Sequence, residues 1–352
     1  MTVARASLAI FLGLVCAYAR SQDRQVGIGV LGLFHPRHIV VASAGGAAVL
    51  VACGSENFVV NGEAGHRRAV LELAPDAILL TLGTTTHRCV DVDFAARDGG
   101  PAEVFLTIPA KIKRGYRGVM RVSKRRSELL LVVRMDLETA VASIVAAESP
   151  PGATIEALKA QAVVSRSFLV SGAKHHDFDF CDTTHCQFLR EPPAAESQAS
   201  EAARLTAAQV LTYQGRPLAA MYSSRCGGHT VTLEDIGLRS AGYPYYAVRC
   251  DYCLRHPANW QRTVSGQVAH GLRKSESDRL GIDRVQGWSA IPSNNYSVET
   301  RGGGFVVEGR GSGHGVGMCQ YGAAGMAQEG ATFRDILRHY YPNTEISTLS
   351  AH

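Results

Sequence analysis

Five residues with sulfur or imidazole donors crowd one short stretch: His175, His176, Cys181, His185 and Cys186 fall within twelve residues. Thiolates and imidazoles are the usual ligands of zinc, and a Cys-x4-Cys pair with a histidine six residues upstream supplies most of a tetrahedron from one loop. Neighbours in an extended chain point to opposite sides, so ligation by both His185 and Cys186 requires a turn there. Four such ligands would close the coordination sphere and make the metal structural. A Cys181–Cys186 disulfide is the competing arrangement, and it leaves the histidines without a role.

The second chemical candidate is a carboxylate. Leu137, Val141 and Ile144 recur at helical spacing after Asp136, a good N-cap, and Pro150 and Pro151 end the pattern. Glu148 is the next position on that stripe. A carboxylate at the buried end of an apolar face loses solvation in its charged form, which raises its pKa and suits a general acid. Fraying before two prolines would instead turn Glu148 to solvent. A second helix is expected from Thr154 to about Val170, with Glu156 in its first turn. Lys159 and Arg166 lie seven residues apart and share a face of it. A short turn between the helices would bring that face toward Glu148. There the cations would lower the pKa of the acid, anchor anionic substrate groups, or simply be solvated.

Two glycine-rich turns follow. Tyr222-Ser223-Ser224-Arg225-Cys226-Gly227-Gly228-His229 reads as a strand ending in a turn that lets backbone approach a ligand closely. Gly311-Ser312-Gly313-His314-Gly315-Val316-Gly317-Met318-Cys319-Gln320-Tyr321-Gly322 reads as another, opening into a helix. Ser223, His314, Gln320 and Tyr321 are the candidate substrate-binding residues from these turns. The second turn lacks the Lys and Ser or Thr of a phosphate-binding loop. A serine hydrolase built on Ser223 or Ser312 with His229 or His314 would need a nucleophile elbow, which is missing.

The elements that must carry these residues are of two kinds. Residues 26–109 hold short Val-rich runs separated by Gly, Asn and Asp, the pattern of strands and hairpins. Beyond them the apolar spacing turns helical. The expected fold class is therefore α+β: a β-rich region at residues 20–107, a mixed α+β domain at 108–345 with a helical pair carrying Glu148, and a tail at 346–352. Eight basic residues stand between Lys111 and Arg126, read as the outer face of a strand pair or as a groove for an acidic polymer. The 352 residues are 46% hydrophobic and 19% charged, which excludes disorder, and 36 glycines without a period exclude collagen. A net charge of +5 suits anionic polymers and does not by itself indicate nucleic acid.

Residues 1–19 read as a secretory signal peptide: Arg5, an apolar run from Leu8 to Ala17, and an Ala17-Tyr18-Ala19 cleavage site. The run is too short to span a bilayer, and no later stretch is expected to do so. Val15 before Cys16 argues against a lipid anchor. The mature protein is expected in the periplasm, the cell envelope or the medium. Eight cysteines then remain, an even number that permits disulfides whose connectivity the spacing does not settle.

Four ordered motifs resemble the stage II sporulation protein D family: Met135-Asp136-Leu137-Glu138 through Val145-Ala146-Ala147-Glu148; Ala157-Leu158-Lys159-Ala160-Gln161-Ala162 through Ser165-Arg166; Cys181-Asp182-Thr183-Thr184-His185-Cys186-Gln187; and Ser312-Gly313-His314-Gly315 through Gly322-Ala323. The resemblance covers about residues 108–341. It implies a peptidoglycan lytic transglycosylase that cuts the β-1,4 bond between N-acetylmuramic acid and N-acetylglucosamine on strands stripped of stem peptides. It places the catalytic acid on Glu148, supporting cations on Lys159 and Arg166, and zinc on His175, Cys181, His185 and Cys186. Relatives described as amidase enhancers imply the opposing reading, a noncatalytic wall-binding protein that stimulates a cell-wall amidase. Two departures stand out. Ser165-Arg166-Ser167-Phe168 replaces a more usual Ala-Arg-Thr-Tyr, and Cys319 stands where Ser is usual, which would allow a disulfide with Cys226 or Cys250.

Overall fold

The computed structural model describes residues 24–60, 66–239, 242–273, 275–287 and 289–350; the expected signal peptide lies outside them. The chain forms two compact units. One takes the chain up to Glu148, residues 172–208 and the segment from Leu349; the other takes Ser149–Ser171 and Gln209–Thr348. The α+β expectation is met, with a curled sheet first and mixed structure after it. Among the described residues, no helix is long and apolar enough to cross a membrane.

Alternation of buried and exposed side chains builds the first unit, as antiparallel strands with one wet face require. Its strands are β1 (Gln25–Val30), β2 (His38–Ser43), β3 (Val49–Cys53), β4 (Glu56–Val60), β5 (Ala69–Leu73), β6 (Ile78–Leu82), β7 (Thr85–Cys89), β8 (Val92–Ala96), β9 (Ala102–Ile108), β10 (Ile112–Arg125), β11 (Glu128–Asp136) and β12 (Phe180–Cys181). All twelve join one sheet, whose main path runs β12-β1-β11-β10-β9-β2-β5-β6-β7. β10 changes partner midway: residues 112–118 pair with β9, and residues 119–125 with β11. Gly118 sits at that switch, where a Cβ would come within 2.3 Å of the Arg134 carbonyl oxygen. The boundary expected between residues 107 and 108 falls inside this sheet, because the β9–β10 hairpin straddles it. A Cys53–Cys89 disulfide joins β3 to β7.

The two expected helices form as α1 (Leu137–Glu148), in the first unit, and α2 (Ile155–Val170), in the second. Asp136 caps α1, its Oδ1 accepting from the Thr139 amide at 3.0 Å. α1 packs against α3 (Gln198–Leu205) of its own unit.

Among its described residues the second unit has three small sheets. They are built from β13 (Gln209–Tyr213), β14 (Arg216–Pro217), β15 (Tyr222–Ser223), β16 (Asn259–Val264), β17 (Tyr296–Arg301), β18 (Gly304–Arg310), β19 (Met318–Cys319) and β20 (Glu345–Thr348). β20 pairs with β13, so residues 346–348, read from sequence as part of a tail, are a sheet strand. Its helices are α2, α4 (Asp251–Arg255), α5 (Gly266–Gly271), α6 (Glu276–Gln286), α7 (Gln320–Gln328) and α8 (Phe333–Tyr340). α8 starts in a capping box of Thr332 and Asp335 and buries Phe333, Ile336, Leu337 and Tyr340 at helical spacing. These meet Val163 and Val164 of α2, together with Tyr243, Tyr245, Met318 and Tyr341, in one apolar core.

Candidate functional site

Glu148 is the last residue of α1 and is half-buried. The apolar stripe that leads to it is buried through Val145, but Ala146 is exposed and the helix stops at Glu148, so the carboxylate is not sunk in the core as the stripe suggested. Its Oε1 accepts a 2.7 Å hydrogen bond from the Phe188 amide. That bond holds the carboxylate in one orientation. The donor lies two residues past Cys186, so the His/Cys loop and the carboxylate are mechanically joined.

The loop carries the expected donor set. Nε2 of His175 is 3.3 Å from Sγ of Cys186, and Nδ1 of His185 is 3.7 Å from Sγ of Cys181 and 3.6 Å from Sγ of Cys186. All four donor atoms lie within 4.8 Å of one another. Zinc bonds of about 2.3 Å to sulfur and 2.0–2.1 Å to nitrogen place tetrahedral S and N ligands about 3.6 Å apart, so the spacing fits. A turn at Thr183–Cys186, closed by the Cys186 amide on the Thr183 carbonyl, lets both His185 and Cys186 face inward. Cys181 and Cys186 are separate thiols, not a disulfide. Their proximity lowers the Cys181 thiol to about 3, chiefly through the hydrogen bond from Cys186, while Cys186 is pushed up.

Three residues pin this loop to the sheet. Cys181 pairs with Gly29 in the parallel β1–β12 ladder. Asp179 accepts from the Gly27 amide at 2.7 Å. Buried Asp182 accepts from the Leu31 amide at 3.1 Å, the Tyr116 hydroxyl at 3.0 Å and the Arg114 guanidinium at 3.2 Å. Burial raises the Asp182 carboxyl, and those three donors pull it back. Arg114 is one of the eight basic residues between Lys111 and Arg126. Others are also matched, Arg121 by Asp93 of β8 and Arg125 by Glu128 of β11 and by Asp177 of the loop.

The two cations of α2 differ from each other. Lys159 pairs with Glu156 one turn back and lies over the Phe333 ring, 4.9 Å from its centroid. The other Glu156 oxygen accepts from the Phe333 amide at 2.7 Å, which ties α2 to the start of α8. Arg166 is fully buried, not a helix-surface cation as the seven-residue spacing suggested. Its guanidinium donates to the carbonyls of Gln209 at 3.1 Å and Ala162 at 3.4 Å, so it fastens α2 to β13. Spacing placed both residues on one face; β13 covers its far end completely, and Phe333 covers the near end in part.

The glycine turns lie in the second unit beside a groove of about 1120 Å³. His314 lines it, its Nδ1 accepting from the Val316 amide at 3.0 Å, and burial holds its imidazole below the ordinary value. Ser223 is buried in β15. Gln320 is buried as well and donates to Gln161 of α2 at 3.2 Å. Tyr321 lies under the Arg225 guanidinium, 3.8 Å from ring centroid to charge. Gly317 has φ +72°, and a Cβ there would reach 1.9 Å from the Met221 carbonyl, so this glycine serves close strand packing. Trp260, Tyr296, Asn295 and Arg310 line the same groove and were not singled out from sequence. They come from β16–β18 and the segment before β17, which only the fold gathers. Cys319 forms a disulfide with neither Cys226 nor Cys250.

Residues 125–213 match the family model for stage II sporulation protein. Stage II sporulation protein D of Bacillus subtilis is 28% identical over 265 residues, which cover 62% of this chain and 77% of that one. The chain carries a domain of the stage II sporulation protein D family. An uncharacterized protein of Brachyspira hyodysenteriae is 27% identical over 266 residues, 66% of this chain and 72% of the other. The amidase enhancer of Bacillus subtilis is 23% identical over 284 residues, 57% of this chain but 39% of that longer protein. The stretch matched to the stage II sporulation protein family spans Glu148, Lys159, Arg166 and all four His/Cys donors of the loop; the groove lies C-terminal to it.

Proposed function

We propose that this stage II sporulation protein D-family chain acts on the bacterial cell wall as a lytic transglycosylase, with Glu148 as its single general acid and base. The observation that carries this reading is the half-buried Glu148 carboxylate held by the Phe188 amide at 2.7 Å, directly after a loop with a complete His/Cys donor set. Held in place, the protonated Glu148 carboxyl passes its proton to the glycosidic oxygen as oxocarbenium character develops on the muramic sugar, and is left as the carboxylate. The same carboxylate then takes the proton of that sugar's 6-hydroxyl, which closes to the 1,6-anhydro product. The substrate supplies the nucleophile, so no second carboxylate and no activated water are needed.

Zinc held by His175, Cys181, His185 and Cys186 would cross-link the loop; four protein ligands leave no open position on it. Lys159 and Arg166 serve by holding α2 against α8 and β13. The substrate is peptidoglycan glycan stripped of stem peptides, met outside the cytoplasm after export. The Cys53–Cys89 disulfide is in keeping with an oxidising compartment. Nucleic acid is not proposed as a partner.

A second reading has its own support in the relative named amidase enhancer. There the chain binds glycan through the groove that holds Trp260, Tyr296 and His314, and activates a cell-wall amidase without cutting. Mass spectrometry of denuded glycan incubated with the purified chain separates the two. Anhydro-ended fragments that vanish with Glu148→Gln support the enzyme; binding without fragments in wild type and variant alike supports the enhancer.

A further inference from the structure

We propose that the second unit contains a structural zinc site made of Cys226, Cys250, Cys253 and Cys319, separate from the His/Cys loop. The four sulfurs lie within 4.8 Å of one another, and Cys253 Sγ is 3.5 Å from Cys319 Sγ. A disulfide would bring two sulfurs to about 2.05 Å. A tetrahedral zinc with Zn–S bonds of about 2.3 Å has S···S edges of about 3.8 Å. The observed spacing is that of a coordination sphere.

The surroundings are built for thiolates. All four cysteines are buried, the most exposed at 3%. The amides of Cys226 and Gly322 each point at Cys319 Sγ at 3.4 Å, and the Tyr340 hydroxyl donates to Cys250 Sγ at 3.4 Å. Such donors offset the negative charge that four thiolates leave on a divalent ion. Cys319 is also the N-cap of α7, where the helix favours negative charge. Cys250 and Cys253 form a Cys-x2-Cys pair across the start of α4. Gly322 leaves room for this arrangement, because a Cβ there would meet Cys250 Sγ at 2.6 Å and the Tyr340 hydroxyl at 2.1 Å.

Burying four thiols gains little by itself, whereas a bound ion links three segments of the chain, around Cys226, Cys250–Cys253 and Cys319. Binding displaces four protons to solvent and fills every position on the metal, so the site is closed to substrate. Zinc suits an all-thiolate tetrahedron that does no redox work.

The test uses the full chain purified without reductant or chelator. With the loop ligands removed by Cys181→Ser and Cys186→Ser, zinc should fall from about two per chain to about one, the count of two tetrahedral sites reduced to one. Adding Cys253→Ser should take it to about zero by the same count. Should that last variant fail to fold, two measurements on the chain with Cys181→Ser and Cys186→Ser decide alone. Denaturation with chelator and alkylation, still without reductant, should label all of Cys226, Cys250, Cys253 and Cys319. Exchange with cobalt should give the visible bands of tetrahedral thiolate coordination. Recovery of any of these four cysteines in a disulfide, absence of zinc from that chain, iron in its place, or a colourless cobalt form would overturn the proposal.

Discussion

The loop of His175, Cys181, His185 and Cys186 and the core cluster of Cys226, Cys250, Cys253 and Cys319 use the same sulfur chemistry, yet the chain assembles them in opposite ways. The first draws its donors from twelve residues and keeps them half-exposed or exposed; the second spans residues 226–319 and buries every sulfur. A local cluster can be pinned to a sheet edge by a few neighbours, as Asp179 and Asp182 pin this one, and its far end is then available to hold something else. Here that is the Phe188 amide on Glu148. A cluster from distant segments is instead part of the packing, touching Tyr340, Met318 and Ala323 in the same apolar core. The loop should therefore matter to activity more than to stability, and the core cluster the reverse.

The largest expected effect tests what the loop positions. Glu148→Gln keeps the volume and can still accept from Phe188, but it cannot deliver a proton. Turnover of denuded glycan should fall by about 10²–10⁴-fold, or roughly 3 to 5 kcal/mol in the barrier, with zinc content and melting temperature unchanged. Near-normal cleavage would move the acid elsewhere, and Glu138, Glu156 and Glu234 would be next to test.

Arg166→Ala comes next and probes the second unit. It opens a cavity beneath α2 and removes the donors to the Gln209 and Ala162 carbonyls, so a loss of about 3 kcal/mol of stability is expected by chemical denaturation. A variant as stable as wild type, impaired only in turnover, would return Arg166 to the role of substrate cation.

Cys181→Ser separates the two kinds of cluster most directly. Disturbing metal-site support commonly costs about 10- to 100-fold in affinity or activity, and a similar fall in turnover is expected here through the slackened Phe188–Glu148 bond. Stability should change little, because the sheet contacts of Asp179 and Asp182 remain. Global unfolding with Cys181→Ser would make the loop as structural as the core cluster and erase the contrast.

The smallest effect is expected from Lys159→Ala. Its pairing with Glu156 is partly exposed, and such pairs contribute roughly 0 to 1 kcal/mol. A thermal shift of a few degrees at most, measured beside Arg166→Ala, would confirm that two cations on one helix face do different work. An equal loss in both variants would contradict it.

The amino-acid sequence by itself determined the local features. Residues three and four apart in 137–148 and 155–170 wrote the two helices, alternation wrote the strands of the first unit, and a twelve-residue spacing wrote the His/Cys loop. These are short-range patterns, and helix and strand periods expose them directly. The tertiary structure decided what depends on distant segments meeting. Burial of Arg166 waits on β13, forty-three residues later, and Asp182 acquires its three donors from β10 and the end of β1. The groove gathers side chains from β16, β18 and the glycine turns, and the core cysteines converge from segments as far as 93 residues apart. No period in a linear sequence records such meetings, because loop closure sets which segments meet only after the local elements exist and can pack.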